Sequence, residues 1–143
     1  MSKIHYAVGG IFTVLVVHVI ATISGFYYQF GWFDIPMHFF GGYVMAILGL
    51  ALYQKLIVNL ESSTDVNSRT KVSKLLLSFI FVLGLVMIIG VAWEWYEFLF
   101  DQFAKLMVTK YGVAQMGLPD TMDDLFNDFL GAIAAWLLWR KST

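Results

Sequence analysis

Four long apolar stretches, separated by polar breaks, make up most of the chain. Residues 4–23 contain no Asp, Glu, Lys or Arg, residues 36–58 contain only Lys55, and residues 75–98 contain Glu94 and Glu97. Residues 120–139 begin acidic and end in an apolar run from 129 to 139. A helix needs about 20 mostly apolar residues to cross a hydrocarbon layer of about 30 Å. The pattern therefore predicts four transmembrane helices, at about 4–23, 36–58, 75–98 and 120–139, in a single domain of residues 1–143. The fourth is the shortest in apolar length: 129–139 cannot span alone, so the acidic turn before it has to lie at or inside the membrane boundary. Lys3 ahead of the first run gives that segment the look of a signal peptide. The run nevertheless exceeds the about 7–15 residues of such a segment and no small-x-small cleavage site follows, so it reads as a retained helix. The expected fold is all-α, a polytopic four-helix transmembrane bundle, with ESSTDVNSRT, residues 61–70, as a turn-like connector inside a loop at 59–74.

Composition sharpens this picture. The chain is 59% hydrophobic and 13% charged, against about 45–50% and about 25% for soluble domains, which excludes a water-soluble globule. A net charge of −1 with no basic stripe excludes nucleic acid as a partner and leaves membrane lipids as the surroundings. The sequence has no cysteine, so thiolate chemistry is also excluded. Lys and Arg near span ends favour the cytoplasm. Lys3, Lys55, Arg69, Lys71, Lys74, Arg140 and Lys141 fall on one side of the predicted spans and only Lys105 and Lys110 on the other, so both termini and the 59–74 loop are expected in the cytoplasm.

The acids fall on the opposite side. Glu61 and Asp65 lie in the connector, whereas Asp34, Glu94, Glu97, Asp101, Asp120, Asp123, Asp124 and Asp128 collect at the other ends of three spans. At about 100° per residue, Glu94 and Asp101 lie almost on one line of a helix with Glu97 about 60° away. The aromatic residues between them, Trp93 to Phe100, would then face lipid or headgroups. The plain alternative is that this helix has reached water. In LPDTMDDLFNDFLGA, residues 118–132, Asp120, Asp124 and Asp128 recur every fourth residue and share a face. An N-cap at Asp120 or Thr121 and the helix dipole account for the first turn, but Asp128 is too far along for either. In FDIPMHFFGG, Pro36 suits a first helical turn, Asp34 would cap it, and His38 enters the membrane beside the acids. His18 is a second imidazole at the same end, or a hydrogen-bonded packing residue.

Crowded carboxylates cannot all stay ionised without compensation. A divalent cation, Mg²⁺, Mn²⁺, Ca²⁺ or Zn²⁺, on Asp34, His38, Glu94, Asp124 and Asp120 is one solution, and partial protonation is the other. On the first reading the chain is a hydrolase or transferase acting on a lipid or lipid-linked small molecule, with Glu97 or Asp128 as general base. On the second it is a non-enzymatic ion- or proton-linked carrier, with a binding module that alters envelope lipids or excludes amphipathic drugs as the other non-enzymatic form. A third reading makes the acids purely structural. No G-x-S-x-G or H-E-x-x-H motif is present. Gly41, Gly49, Gly84 and Gly90 would allow close helix contact in a homodimer. The aromatic run GFYYQFGWF, residues 25–33, reads as an interfacial anchor.

Three blocks, D-x-x-x-H-F-F-G-G at 34–42, W-E-W-x-E at 93–97 and D-T-x-x-D-L-x-x-x-x-x-G-A at 120–132, resemble small bacterial YjdF-type (DUF2238) inner-membrane proteins and, more distantly, the VanZ-like family. The resemblance implies a multi-pass protein of the bacterial inner membrane, with Asp34, His38, Glu94, Glu97, Asp120 and Asp124 as the family's acidic and histidine positions. VanZ-like members are associated with glycopeptide resistance, and an Asn often stands where this chain has Asp128.

Overall fold

The computed structural model describes residues 2–63, 71–106 and 116–140. Asp65 and Arg69 of the connector, and Lys110 and Lys141 of the expected charge pattern, lie outside the described residues. Every regular element among the described residues is helical: α1 (Lys3–Ile23), α2 (Phe26–Gln29), a 3-10 turn (Gly31–Phe33), α3 (Asp34–Ser63), α4 (Lys71–Leu106) and α5 (Leu118–Trp139). Three of these are long and apolar enough to cross a membrane, within Lys3–Ile23, Gly31–Ile57 and Ser73–Phe103. Helix α5 falls short of that standard because its first half carries Asp120, Asp123, Asp124 and Asp128.

Helices α3 and α4 extend beyond the predicted spans, since the flanking residues contain neither Gly nor Pro and nothing breaks them where the apolar run ends. Two local expectations are corrected. Asp34 does not cap α3 from outside. It is the first helical residue (φ −65°, ψ −40°) and its carboxylate turns inward to His38. Pro36 sits in the first turn, where its missing N–H costs nothing. The cap of α5 is Gly117, at φ 112° a backbone geometry that disfavours side chains, and neither Asp120 nor Thr121. Asp120 in the first turn instead accepts the Met116 N–H at 2.8 Å.

Helix α3 is the centre, packed against α1, α4 and α5, and α4 also packs against α5. His38 lies beside Asp124 and Gly42 beside Asp128, so α3 and α5 run parallel. Gly90 meets Asp128 while Ser78 meets Trp136, so α4 runs antiparallel to α5. Tyr6 stacks on Trp139 at 5.2 Å, which brings the start of α1 to the end of α5. This end is apolar inside, built on Ala46, Ile47, Leu50, Val82, Val86, Ala135 and Trp136. Two indoles within it are paired: Trp136 Nε1 donates to Ser78 Oγ at 3.1 Å and Trp139 Nε1 to the Tyr43 hydroxyl at 3.0 Å. The outer surface is apolar as well, with Phe12, Val19, Ile20 and Ile23 of α1 exposed. An outer surface this apolar suits lipid and not water.

Glycines decide how close the backbones come. A Cβ at Gly42 would collide with the Asp128 backbone, and one at Gly131 with the Phe39 carbonyl. A Cβ at Gly90 would lie 2.5 Å from Asp128 Oδ2, and one at Gly49 3.3 Å from Leu85. Gly42, Gly90, Gly131 and Gly49 are therefore used inside the chain, and of the glycines expected to serve a dimer only Gly84 faces open space.

Candidate functional site

The acids that sequence periodicity aligned on one line of α4 point inward. Among the described residues the buried positions of that helix are Ser78, Val82, Val86, Gly90, Glu94, Glu97 and Asp101, a continuous stripe. Glu94 is 4% exposed, Glu97 5% and Asp101 5%, whereas Trp95, Tyr96, Phe98 and Phe100 face outward. A helix that had simply emerged into water would show the reverse arrangement, so the water-exposed alternative is overturned. Trp93 departs from the expected outward aromatics. It is half-buried, donates Nε1–H to Glu97 Oε1 at 2.8 Å and stacks edge-on against His18 at 5.0 Å.

The α4 acids meet residues from α3 and α5. His38 (6% exposed) has Nε2 3.5 Å from Asp34 Oδ1 and 3.7 Å from Asp124 Oδ1, and Nδ1 3.6 Å from Asp128 Oδ2. One ligand atom each of His38, Glu94, Glu97 and Asp124 lie within 4.8 Å of one another. The same limit holds for Asp34, Asp120 and Asp124. A separation of 4.8 Å is about the diameter of a coordination shell with metal–oxygen distances of about 2.4 Å. Glu97 Oε2 and Asp124 Oδ2 are buried with no hydrogen-bond partner among the described residues. All five residues expected to hold a cation are therefore together. Of the two expected bases, Glu97 belongs to the cluster and Asp128 stands behind His38. Asp101 is buried one turn beyond Glu97 and outside both groups, and Asp123 is exposed.

A cleft of about 130 Å³ leads to the cluster from between α1, α3 and α4. Its walls are apolar, including Ile11, Val14, Met45, Val86 and Ile89, and its polar end is formed by His18, Tyr27, Asp34, His38 and Asp128. His18 Nδ1 and the Tyr27 hydroxyl share a hydrogen bond of 2.9 Å. Burial, reinforced by the nearby Asp34 and Glu97 charges, raises the Tyr27 phenol far above its ordinary range, so it stays protonated. Sequence reasoning passed over Tyr27 as part of an aromatic anchor. The i→i+4 spacing of Trp93 and Glu97 was the one signal that could have brought Trp93 in.

Nearly the whole chain matches a known family model. The model for "Predicted membrane protein (DUF2238)" matches residues 2–142. The chain belongs to the DUF2238 family. No curated protein and no solved structure matches it. Since the match runs through α1 as well as the three motif-bearing helices, the first helix of this DUF2238 protein, which carried no motif, belongs to the same family unit. The likeness to VanZ-like proteins forms no part of that match.

Proposed function

We propose that the chain is a four-helix transmembrane protein whose buried carboxylate/His cluster holds a divalent cation and acts on a lipid or lipid-linked substrate, as a hydrolase or transferase. The observation that carries this reading is the buried convergence of His38, Glu94, Glu97 and Asp124, with the unpartnered oxygens of Glu97 and Asp124 in it. Among the described residues, Asp34, Asp124 and Asp128 have one basic partner between them, the His38 ring. Buried carboxylates in such excess require a cation or protons. Glu97, with one oxygen fixed by Trp93, suits a ligand. Asp128 lines the cleft and lies against His38 Nδ1, which suits a proton acceptor or a carboxylate that orients the imidazole.

A divalent cation would supply Lewis acidity toward a phosphoryl or acyl oxygen and lower the pKa of water. The chain's own residues would do the rest. The cleft walls would take the apolar chain of the substrate, and Asp128 would accept the proton of the attacking water or alcohol as its oxygen bonds to phosphorus or carbon. The same proton would go to the departing oxygen. The Lys and Arg distribution supports an orientation with both termini in the cytoplasm and the cluster at the outer face.

The test is incubation of the detergent-purified protein with a membrane-lipid extract, followed by mass spectrometry of released water-soluble groups with and without chelator. Chelator-sensitive release is expected, falling about 10²–10⁴-fold in Asp128→Asn. No release from fully metallated protein, together with pH-driven ion flux in proteoliposomes, would favour the carrier reading. The surplus of carboxylates over the single imidazole speaks for that second reading.

A further inference from the structure

We propose that the cluster is built for two cations, bridged by Asp124; this rests on the metal-centre reading above and deepens it. The two ligand groups are distinct, His38, Glu94, Glu97 and Asp124 on one side and Asp34, Asp120 and Asp124 on the other, and they share only Asp124. Asp124 is 2% exposed, its Oδ2 has no hydrogen-bond partner among the described residues, and its Oδ1 lies 3.7 Å from the His38 Nε2 atom. A carboxylate held between two ligand sets with an unpartnered oxygen is the arrangement a bridging ligand needs.

Charge supports the same count. Five carboxylates, Asp34, Glu94, Glu97, Asp120 and Asp124, make up the two groups with one imidazole, which is neutral when it ligates a metal. One dication leaves three negative charges there and two leave one, before Asp128 is added. Uncompensated charge is costly away from water, so a second ion removes most of what the first leaves. Helical bundles build dinuclear sites partly from paired ligands one turn apart on a helix, and here each of three helices supplies such a pair. Asp34 and His38 are four apart on α3, Glu94 and Glu97 three apart on α4, and Asp120 and Asp124 four apart on α5.

The two positions differ in access. The first group is buried throughout, whereas Asp34 and Asp120 are only partly buried, so the second ion exchanges faster. Two ions sharing a carboxylate could clamp both the attacking and leaving oxygens of a displacement.

Chelator-stripped full-length protein in detergent, titrated with Mn²⁺ alone and followed by electron paramagnetic resonance, tests this. Two Mn²⁺ per chain with an exchange-coupled spectrum are expected, the second ion being removed first by added chelator. Asp120→Asn keeps an acceptor for the Met116 N–H and should bind one Mn²⁺ with an uncoupled six-line spectrum. Asp34→Asn should do the same, which guards against a folding defect in either variant alone. One uncoupled Mn²⁺ in the wild type would overturn the second site and leave the metal-centre reading standing. No saturable Mn²⁺ would overturn both.

Discussion

At the scale of single residues, the site depends on side chains that fix the acids as much as on the acids themselves. Glu97 has one oxygen held by Trp93 and the other without a hydrogen-bond partner among the described residues, so its orientation is set by an indole that sequence spacing had turned toward lipid. Trp93→Phe keeps the ring but removes the donor. Such an outer partner is worth about 10–100-fold in metal affinity, so the variant should bind Mn²⁺ that much more weakly by calorimetric titration with little change in thermal stability. Unchanged affinity would show that the indole serves packing against His18 alone. The acids of α4 were legible in the sequence because helical periodicity alone sets which side chains share a line. The inward turn of Trp93 was signalled only by its i→i+4 spacing to Glu97, and its contact with His18 of another helix was not legible.

Among the elements, the closeness of α3 and α5 is what brings the acids of three helices together. Gly131 faces the Phe39 carbonyl and Gly42 the Asp128 backbone, with no room for a Cβ at either. Gly131→Ala should force the two helices apart and cost about 1–3 kcal/mol, lowering the unfolding midpoint followed by tryptophan fluorescence and the metal content together. A variant with full metal content and unshifted midpoint would mean that the packing relaxes without moving the cluster. The helices themselves were readable from their apolar runs, but their ends were not. Hydrophobicity reports where lipid stops, whereas α3 and α4 continue past that point because the flanking residues carry no helix breaker. Gly41, Gly49, Gly84 and Gly90 were noticed as small residues and assigned to a second copy, since sequence alone does not say which neighbour fills the space above a glycine.

For the whole molecule, polarity is arranged by end. One end is packed with Ala, Ile, Leu, Val and Trp side chains, and the other encloses His38 with carboxylates from α3, α4 and α5 behind outward-facing aromatics. The segregation of eight of the ten acids to one end was plain in the sequence. Their burial was not, because an acidic helix end in water and an acidic site in lipid have the same spacing. What separates the two is whether the outer face beside the acids is polar, and here it is aromatic.

That a divalent cation sits among His38, Glu94, Glu97 and Asp124 is tested most directly by elemental analysis of protein purified in detergent without chelator, alongside His38→Ala and Glu94→Gln. At least one tightly held equivalent per wild-type chain is expected, lost in both variants while circular dichroism shows their helices intact. Wild-type protein that carries no metal and takes up none when any of Mg²⁺, Mn²⁺, Ca²⁺ or Zn²⁺ is supplied would contradict it.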